Sequence, residues 1–248
     1  MITIVGIQGM GNVRAGDNVG DLIVKAVRAQ ELTFRSGDIL VVTQKILSKA
    51  EQRIVDLKSV QPSERALRVA EETGKDPRLV EVILTETSRV VRMKDGHLIV
   101  ETWQGFVCAN AGVDKSNVPE DETVTLLPVN PDDSANRIRE RVKELTGSDI
   151  AVIVSDTFGR PWRIGQMNVA IGVSGMKPIR DYRGSYDMFG HQLRVTMMAV
   201  VDELASAAEL AMGKSDGIPA VLIRGYIYEK ADGWAKDLIM PADSDLFR

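Results

Sequence analysis

Cysteine is nearly absent from this chain, and histidine almost so. The single Cys108 cannot form an internal disulfide, which excludes a disulfide-stapled scaffold and suits a reducing, cytoplasmic setting. Two histidines, His97 and His191, are too few and too far apart for a zinc site, so any bound metal should be held by oxygen. No stretch approaches the roughly 18 consecutive apolar residues that a membrane span needs. The opening Met1-Ile2-Thr3-Ile4-Val5-Gly6 lacks the basic flank, apolar centre and cleavage site of a signal peptide and reads as a first strand. An excess of basic charge is missing too. Lys and Arg number 31 against 35 Asp and Glu, a net charge of −4, so no global field invites nucleic acid. The local run Arg137, Arg139, Arg141 and Lys143, interleaved with Glu140 and Glu144, reads as a solvated helix face. There are no internal repeats, low-complexity segments or Pro/Ser-rich linkers. What remains is an ordinary globular composition, 44% hydrophobic and 27% charged. Its 248 residues suit a single domain, 1–248, or two intimate subdomains.

Local signals divide the chain into mixed elements. Ile2 to Ile7 reads as a strand. Asp17 is placed to cap a helix carrying Leu22, Ile23, Ala26 and Val27 at i, i+3, i+4 spacing. Asp38 to Val42 reads as a buried strand running into polar Thr43-Gln44-Lys45. Ser63 caps a helix closed at Gly74, and Pro77 opens the next. Arg89–Met93 and His97–Thr102 form a hairpin turned at Asp95-Gly96. The glycine-punctuated run from Gly105 to Val118 has neither period, and a loop of that length inside a compact domain is often functional. Asp132 or Asp133 starts a helix to Leu145. Ile150–Ser155 is an apolar strand with Asp156-Thr157 at its carboxyl end, and Met167–Val173 is another. Arg194–Met212 reads as one long helix for a core or a subunit interface, and Ile218–Arg224 as a final strand. Residues 242–248 read as a frayed tail. Without a strict βαβ rhythm, the fold class expected is α+β.

Two glycine motifs depart from their nucleotide-binding patterns on physical grounds, while leaving open a ligand-touching loop at Gly6–Gly11 and a backbone wrap at Gly213–Gly217. Val5-Gly6-Ile7-Gln8-Gly9-Met10-Gly11 puts Gln8 where a dinucleotide fingerprint needs glycine for close approach of backbone to pyrophosphate. Ala208-Glu209-Leu210-Ala211-Met212-Gly213-Lys214-Ser215 ends a helix, whereas a phosphate loop opens one, so a helix C-cap is the simpler reading. Asp156-Thr157 is more informative. A carboxylate and a hydroxyl closing an apolar strand suit a hard divalent cation, with Asp114 as the second carboxylate; the plain alternative is a turn-forming Asp. Arg160 and Arg163, flanking Trp162, suit phosphate or carboxylate recognition, or ordinary surface ion pairs.

Taken jointly, the loops resemble the coenzyme F420 γ-glutamyl ligases over nearly the whole chain. The matching runs include Arg14–Asp17, Ser48–Glu51, Thr73–Glu81, Gly105–Val118, Ser155–Arg163, Ala170–Val173, Asp202–Leu210, Gly217–Val221 and Arg224-Gly225. The resemblance implies an unusual α+β fold and an intertwined homodimer. It also implies GTP as co-substrate, two divalent cations (Mg2+ or Mn2+) and K+. Carried over by position, Asp114, Asp156 and Thr157 are expected as metal ligands, with Asp114, Asp156 and Lys49 in the catalytic set. Met10, Gly11, Asn12, Val13, Gln44, Lys45, Lys49 and Asn117 are expected at the nucleotide. So is the loop Met212, Gly213, Lys214, Ser215, Asp216, Gly217, Ile218 and Pro219, while Arg160 and Arg163 are expected at substrate. This chain departs from the family pattern in Gly9-Met10-Gly11 and in Lys214, where some members have glutamine. The implied reaction joins L-glutamate to F420-0, then through a γ-link to F420-1, by way of an acyl phosphate. The competing readings are an NAD(P)-dependent oxidoreductase using Gly6–Gly11 and a non-catalytic nucleotide-binding module.

Overall fold

The computed structural model describes residues 1–115 and 122–246. Asn117 and the last two residues of the 242–248 segment lie outside them. In chain order the elements are β1 (Thr3–Ile7), α1 (Val19–Ala29), β2 (Ile39–Thr43), α2 (Gln44–Ala50), β3 (Ile54–Asp56), α3 (Glu64–Thr73), α4 (Pro77–Thr85), β4 (Thr87–Lys94), β5 (His97–Thr102), β6 (Val107–Ala109), β7 (Thr123–Thr125), α5 (Pro131–Thr146), β8 (Ala151–Gly159), β9 (Gln166–Ser174), β10 (Arg180–Asp181), β11 (Met197–Met198), α6 (Val200–Met212) and β12 (Ala220–Arg224). The architecture is α+β, as expected.

A five-stranded sheet in the order β1-β12-β2-β8-β9 organises the molecule. Only β2 and β8 are parallel; the other neighbours run antiparallel. Ile39, Leu40, Val41 and Val42 of β2 are all fully buried, because the sheet is covered on both faces and a strand at its centre must be apolar throughout. One face packs against α1 and α5 through residues such as Ile23, Ile138, Leu40 and Val152. The other packs against α6 through Ile153, Val201 and Leu204. A third cluster, including Leu57, Val69, Ile83 and Leu98, lies between α3, α4 and the β4-β5-β6 sheet.

The free edge of β9 is closed by side chains. Asp202 Oδ1 accepts the Ala170 N–H at 2.8 Å, Asp132 Oδ1 accepts the Val173 N–H at 2.7 Å, and the Ser206 hydroxyl donates to the Asn168 carbonyl at 2.7 Å. An edge strand so occupied offers no ladder to a passing strand. At Gly172 an added Cβ would lie 2.3 Å from the Pro131 carbonyl oxygen, so α5 reaches its close seat on β9 only over glycine.

Several expectations need correction. Asn18 caps α1, while Asp17 instead accepts the Arg14 N–H. Asn130 caps α5 with Pro131 in its first turn, which leaves Asp132 for Val173. Residues 194–199 are not helical: Met197–Met198 pair with β10, and α6 begins at Val200. The β-branched Val195 and Thr196 disfavour helix, and an apolar run without a period does not distinguish the two states. The Gly105–Val118 run contains the short strand β6, paired with β5. The last strand begins at Ala220, later than Ile218. The caps of α3 and α4 and the Asp95-Gly96 hairpin form as expected.

Candidate active site

Backbone pairing of β2 with β8 ends at Thr43 opposite Ser155. Beyond that point β2 turns directly into α2, whereas β8 continues to Gly159, held only by β9. Asp156 and Thr157 therefore stand inside a strand, not at its end, but they are the first β8 residues without a β2 neighbour. The gap so opened is filled from α2. Gln44 and Ser48 share one face of that helix, and Lys45 and Lys49 share the next, as i, i+4 pairs. The Ser48 hydroxyl donates to Gln44 Oε1 at 2.6 Å. That bond orients the amide so that its N–H side hydrogen-bonds the Asp156 carboxylate.

Asp114 arrives from the other side, through a left-handed turn at Asn110, Ala111 and Gly112 (φ 53°, 54° and 69°). Two backbone hydrogen bonds with Thr125 then pin it (3.0 and 2.9 Å). Lys45 Nζ donates to Asp114 Oδ2 at 2.7 Å. Burial pushes the Asp156 carboxyl up to about 6, and the Asp114 charge adds to this. The Thr157 N–H, Lys45 and Gln44 act in the opposite direction. Burial, with the like charge of Lys45, holds the Lys49 ammonium below its usual value. Cys108, close enough to feel the Asp156 charge, is a buried thiol pushed up to about 12, chiefly by desolvation.

Thr157 belongs to a second cluster, because successive strand residues face opposite sides of a sheet. Its hydroxyl donates to Asn168 Oδ1 at 2.8 Å and accepts from Lys214 Nζ at 2.8 Å. Lys214 also reaches Asn168 Oδ1 at 3.3 Å and Glu209 at 3.4 Å.

The structure thus brings Asp114, Asp156, Gln44, Lys45 and Lys49 together, and Thr157 with Lys214 beside them. In the first loop, Met10 and Val13 are buried in the core while Gly11 and Asn12 are exposed. Any nucleotide contact by the first two runs through backbone. Met212 is likewise buried. From Gly213 (φ 59°) the chain is surface loop through Lys214, Ser215, Asp216 and Gly217, with Ile218 and Pro219 half-buried. Arg160 and Arg163 lie at the exposed tip of the β8–β9 hairpin. Among the described residues neither hydrogen-bonds the acidic pair. Sequence reasoning missed Asn168, Ser48 and Glu209. Asn168 carried one signal: a polar residue, 3% exposed, within an apolar strand.

Among the described residues no three His, Cys, Asp or Glu side chains gather as a metal cage. A hard divalent ion such as magnesium or manganese takes waters and substrate phosphates as most of its ligands, with one or two protein carboxylates. Asp114 and Asp156 fit this role: the Asp114 charge adds to the rise in the proton affinity of Asp156, and the Lys45 ammonium is paired with Asp114. Thr157 fits on the other face of β8, where a cation would take the lone pair that Lys214 now occupies.

Fold and site together define an α+β protein whose lysine-flanked carboxylate pair is equipped for anionic, oxygen-rich reactants. The profile of the F420-0:Gamma-glutamyl ligase family matches residues 8–225, and the chain belongs to that family. It is 48% identical to the coenzyme F420:L-glutamate ligase of Methanothermobacter thermautotrophicus, covering 100% of this chain and 99% of the relative. The ligase of the same name from Methanocaldococcus jannaschii is 45% identical over 87% of this chain and 86% of its own length. That of Archaeoglobus fulgidus is 39% identical over 100% and 96%. The chain is accordingly a ligase that forms an amide bond. This overturns the oxidoreductase and non-catalytic readings. β1, which runs into the Gly6–Gly11 loop, pairs among the described residues with antiparallel β12 and not within an adjacent parallel βαβ unit. No helix among the described residues is long and apolar enough to cross a membrane.

Proposed function

We propose that this chain adds L-glutamate to F420-0, and then a second glutamate through a γ-link to F420-1, at the expense of GTP. The observation that carries the reading is the Asp114–Asp156 pair, flanked by Lys45 and Lys49, just past the end of the parallel strands. A carboxylate and an amine do not condense unaided in water, so one must be activated. The terminal carboxylate of the acceptor attacks the γ-phosphorus of GTP; the bond to the β,γ-bridging oxygen breaks and GDP leaves with that electron pair. The α-amino group of glutamate, after losing a proton, attacks the acyl phosphate and expels inorganic phosphate, leaving the amide.

Lys45 and Lys49 offset the negative charge that accumulates on the phosphoryl oxygens, in a setting where burial makes each charge count for more than in water. Gln44 and the Thr157 N–H fix the Asp156 carboxylate before any reactant arrives. Asp114, Asp156 and Thr157 would hold two divalent cations, which would supply positive charge against the negative charge developing in phosphoryl transfer. The proposal includes K+ as an assisting ion, a homodimer and a cytoplasmic setting.

Mass spectrometry of F420-0 incubated with the protein, GTP, L-glutamate and Mn2+ tests the reaction. Stepwise glutamate additions that need both GTP and metal are expected. Addition with ATP alone would remove the GTP assignment, and no addition by folded protein would remove the acceptor.

A further inference from the structure

The cavity that adjoins the site lies on the β9 side of β8, bounded by Phe158 and by Val169 and Ala170 of β9. It has a volume of about 280 Å³ and is walled by Phe106, Val107, Phe158, Val169 and Leu238, with the carboxylates of Asp202 and Asp245 at its margin. Its position is fixed by the site. Phe158 follows Thr157, Val107 precedes Cys108, and Val169 is the cross-strand partner of Asp156. The Phe106 and Phe158 rings meet edge to face, 6.4 Å between centroids at 70°, and so present ring surface as well as ring edge.

Among the described residues no Lys or Arg lines the cavity. A triphosphate or the two carboxylates of free glutamate would find no counter-charge there and two like charges. A flat, uncharged aromatic system would find apolar walls, and its N–H or O–H groups would find an acceptor. Asp202 supplies it: Oδ1 takes the Ala170 N–H at 2.8 Å, while Oδ2 has no hydrogen bond among the described residues.

Topology decides between the two planar groups among the reactants, the guanine base and the acceptor's ring. β2 flanks β8 on one side and β9 on the other. The lysines assigned to the nucleotide come from α2, on the β2 side, whereas the cavity lies along β9, against the edge that Asp202 closes. Phosphoryl transfer places attacking and leaving oxygens in line on opposite sides of phosphorus. With the nucleotide on the α2 side, the attacking acceptor comes from the β9 side. We infer that this cavity seats the planar deazaflavin ring of the acceptor, Asp202 receiving a ring or side-arm donor, with the acceptor's carboxylate tail reaching toward Asp156. The inference rests on the ligase reading above and assigns the half of the site that reading leaves open.

Two variants test it. Val107→Trp fills the cavity from a position already 40% exposed. Asp202→Asn keeps an oxygen for Ala170 but turns the second acceptor into a donor. Isothermal titration with F420-0, and separately with GTP and Mn2+, measures affinity without turnover, and thermal melts report folding. In both variants F420-0 affinity should fall roughly tenfold or more while GTP affinity stays within about twofold. Unchanged F420-0 affinity in folded Val107→Trp and Asp202→Asn, with binding to the wild type intact, overturns the cavity assignment alone. A fall in GTP affinity instead reassigns the cavity to the base and overturns it as well. Failure of the wild type to bind or extend F420-0 overturns the ligase reading, and this inference with it.

Discussion

Asp156 is a carboxylate whose surroundings oppose its charge, and a charge kept under such conditions points to use. Replacing it with Asn removes the charge while keeping the shape. Glutamate ligation should fall by at least about 100-fold, judged against losses seen when preorganised electrostatic groups are removed. The thermal midpoint of the metal-free variant should be equal or higher, because burial opposes the Asp156 charge more than its partners support it; near-normal turnover would remove Asp156 from the chemistry. Cys108 gives the opposite case. With its thiol pushed up to about 12 and the residue 6% exposed, it should be inert at neutral pH. A thiol-reactive chromophore should label less than about one tenth of the native chain and all of the denatured chain. Rapid labelling of folded protein would contradict the burial.

At the scale of elements, Asp132 Oδ1 serves two donors, the Val173 N–H at 2.7 Å and the Ala235 N–H at 2.9 Å, tying α5 to β9 and to the 235–238 turn. Burial raises its proton affinity although both hydrogen bonds oppose that. Asp132→Ala strands both N–H groups and should cost about 2–4 kcal/mol in urea unfolding. Asp132→Asn keeps the acceptor and should cost less than about 1 kcal/mol. Equal losses would show that the charge, not the acceptor, matters. The same element shows what the sequence could and could not disclose. The helix was plain from its charge periodicity, but that Asp132 serves a distant strand rather than its own helix is a tertiary fact. Ser63, Gly74, Pro77 and Asp95-Gly96 were legible because caps and tight turns are decided within a few residues. The start of α6 was not, since Val195–Val201 is apolar without a period. For the site, the two carboxylates were legible as residue types. Their separation from Thr157 by the plane of the sheet, and the pairing of Thr157 with Asn168 across a hairpin, appear only once the strands are registered.

At the scale of the whole molecule, the segment between β10 and β11 stands out from the core. Tyr186, Met188, Phe189 and Val195 are 68%, 90%, 79% and 85% exposed. Apolar side chains grouped on one projecting hairpin mark an association surface, consistent with the proposed homodimer. If the proposed homodimer forms through this hairpin, Met188→Asp combined with Phe189→Asp should leave a monomer in sedimentation equilibrium without lowering helix content. A persistent dimer would place the interface elsewhere.

The order of the central sheet has a consequence for synthesis. β12, the last of its five strands to leave the ribosome, lies between β1 and β2, and among the described residues β1 has no other neighbour. Residues 3–7 must wait for more than two hundred later residues before β12, their partner in the sheet, exists. Closure of this sheet is therefore a late, long-range event, slow by the loop entropy it must overcome. Until it happens, the unpaired flank of β2 is a place where a nascent chain can pair wrongly or be held by a chaperone.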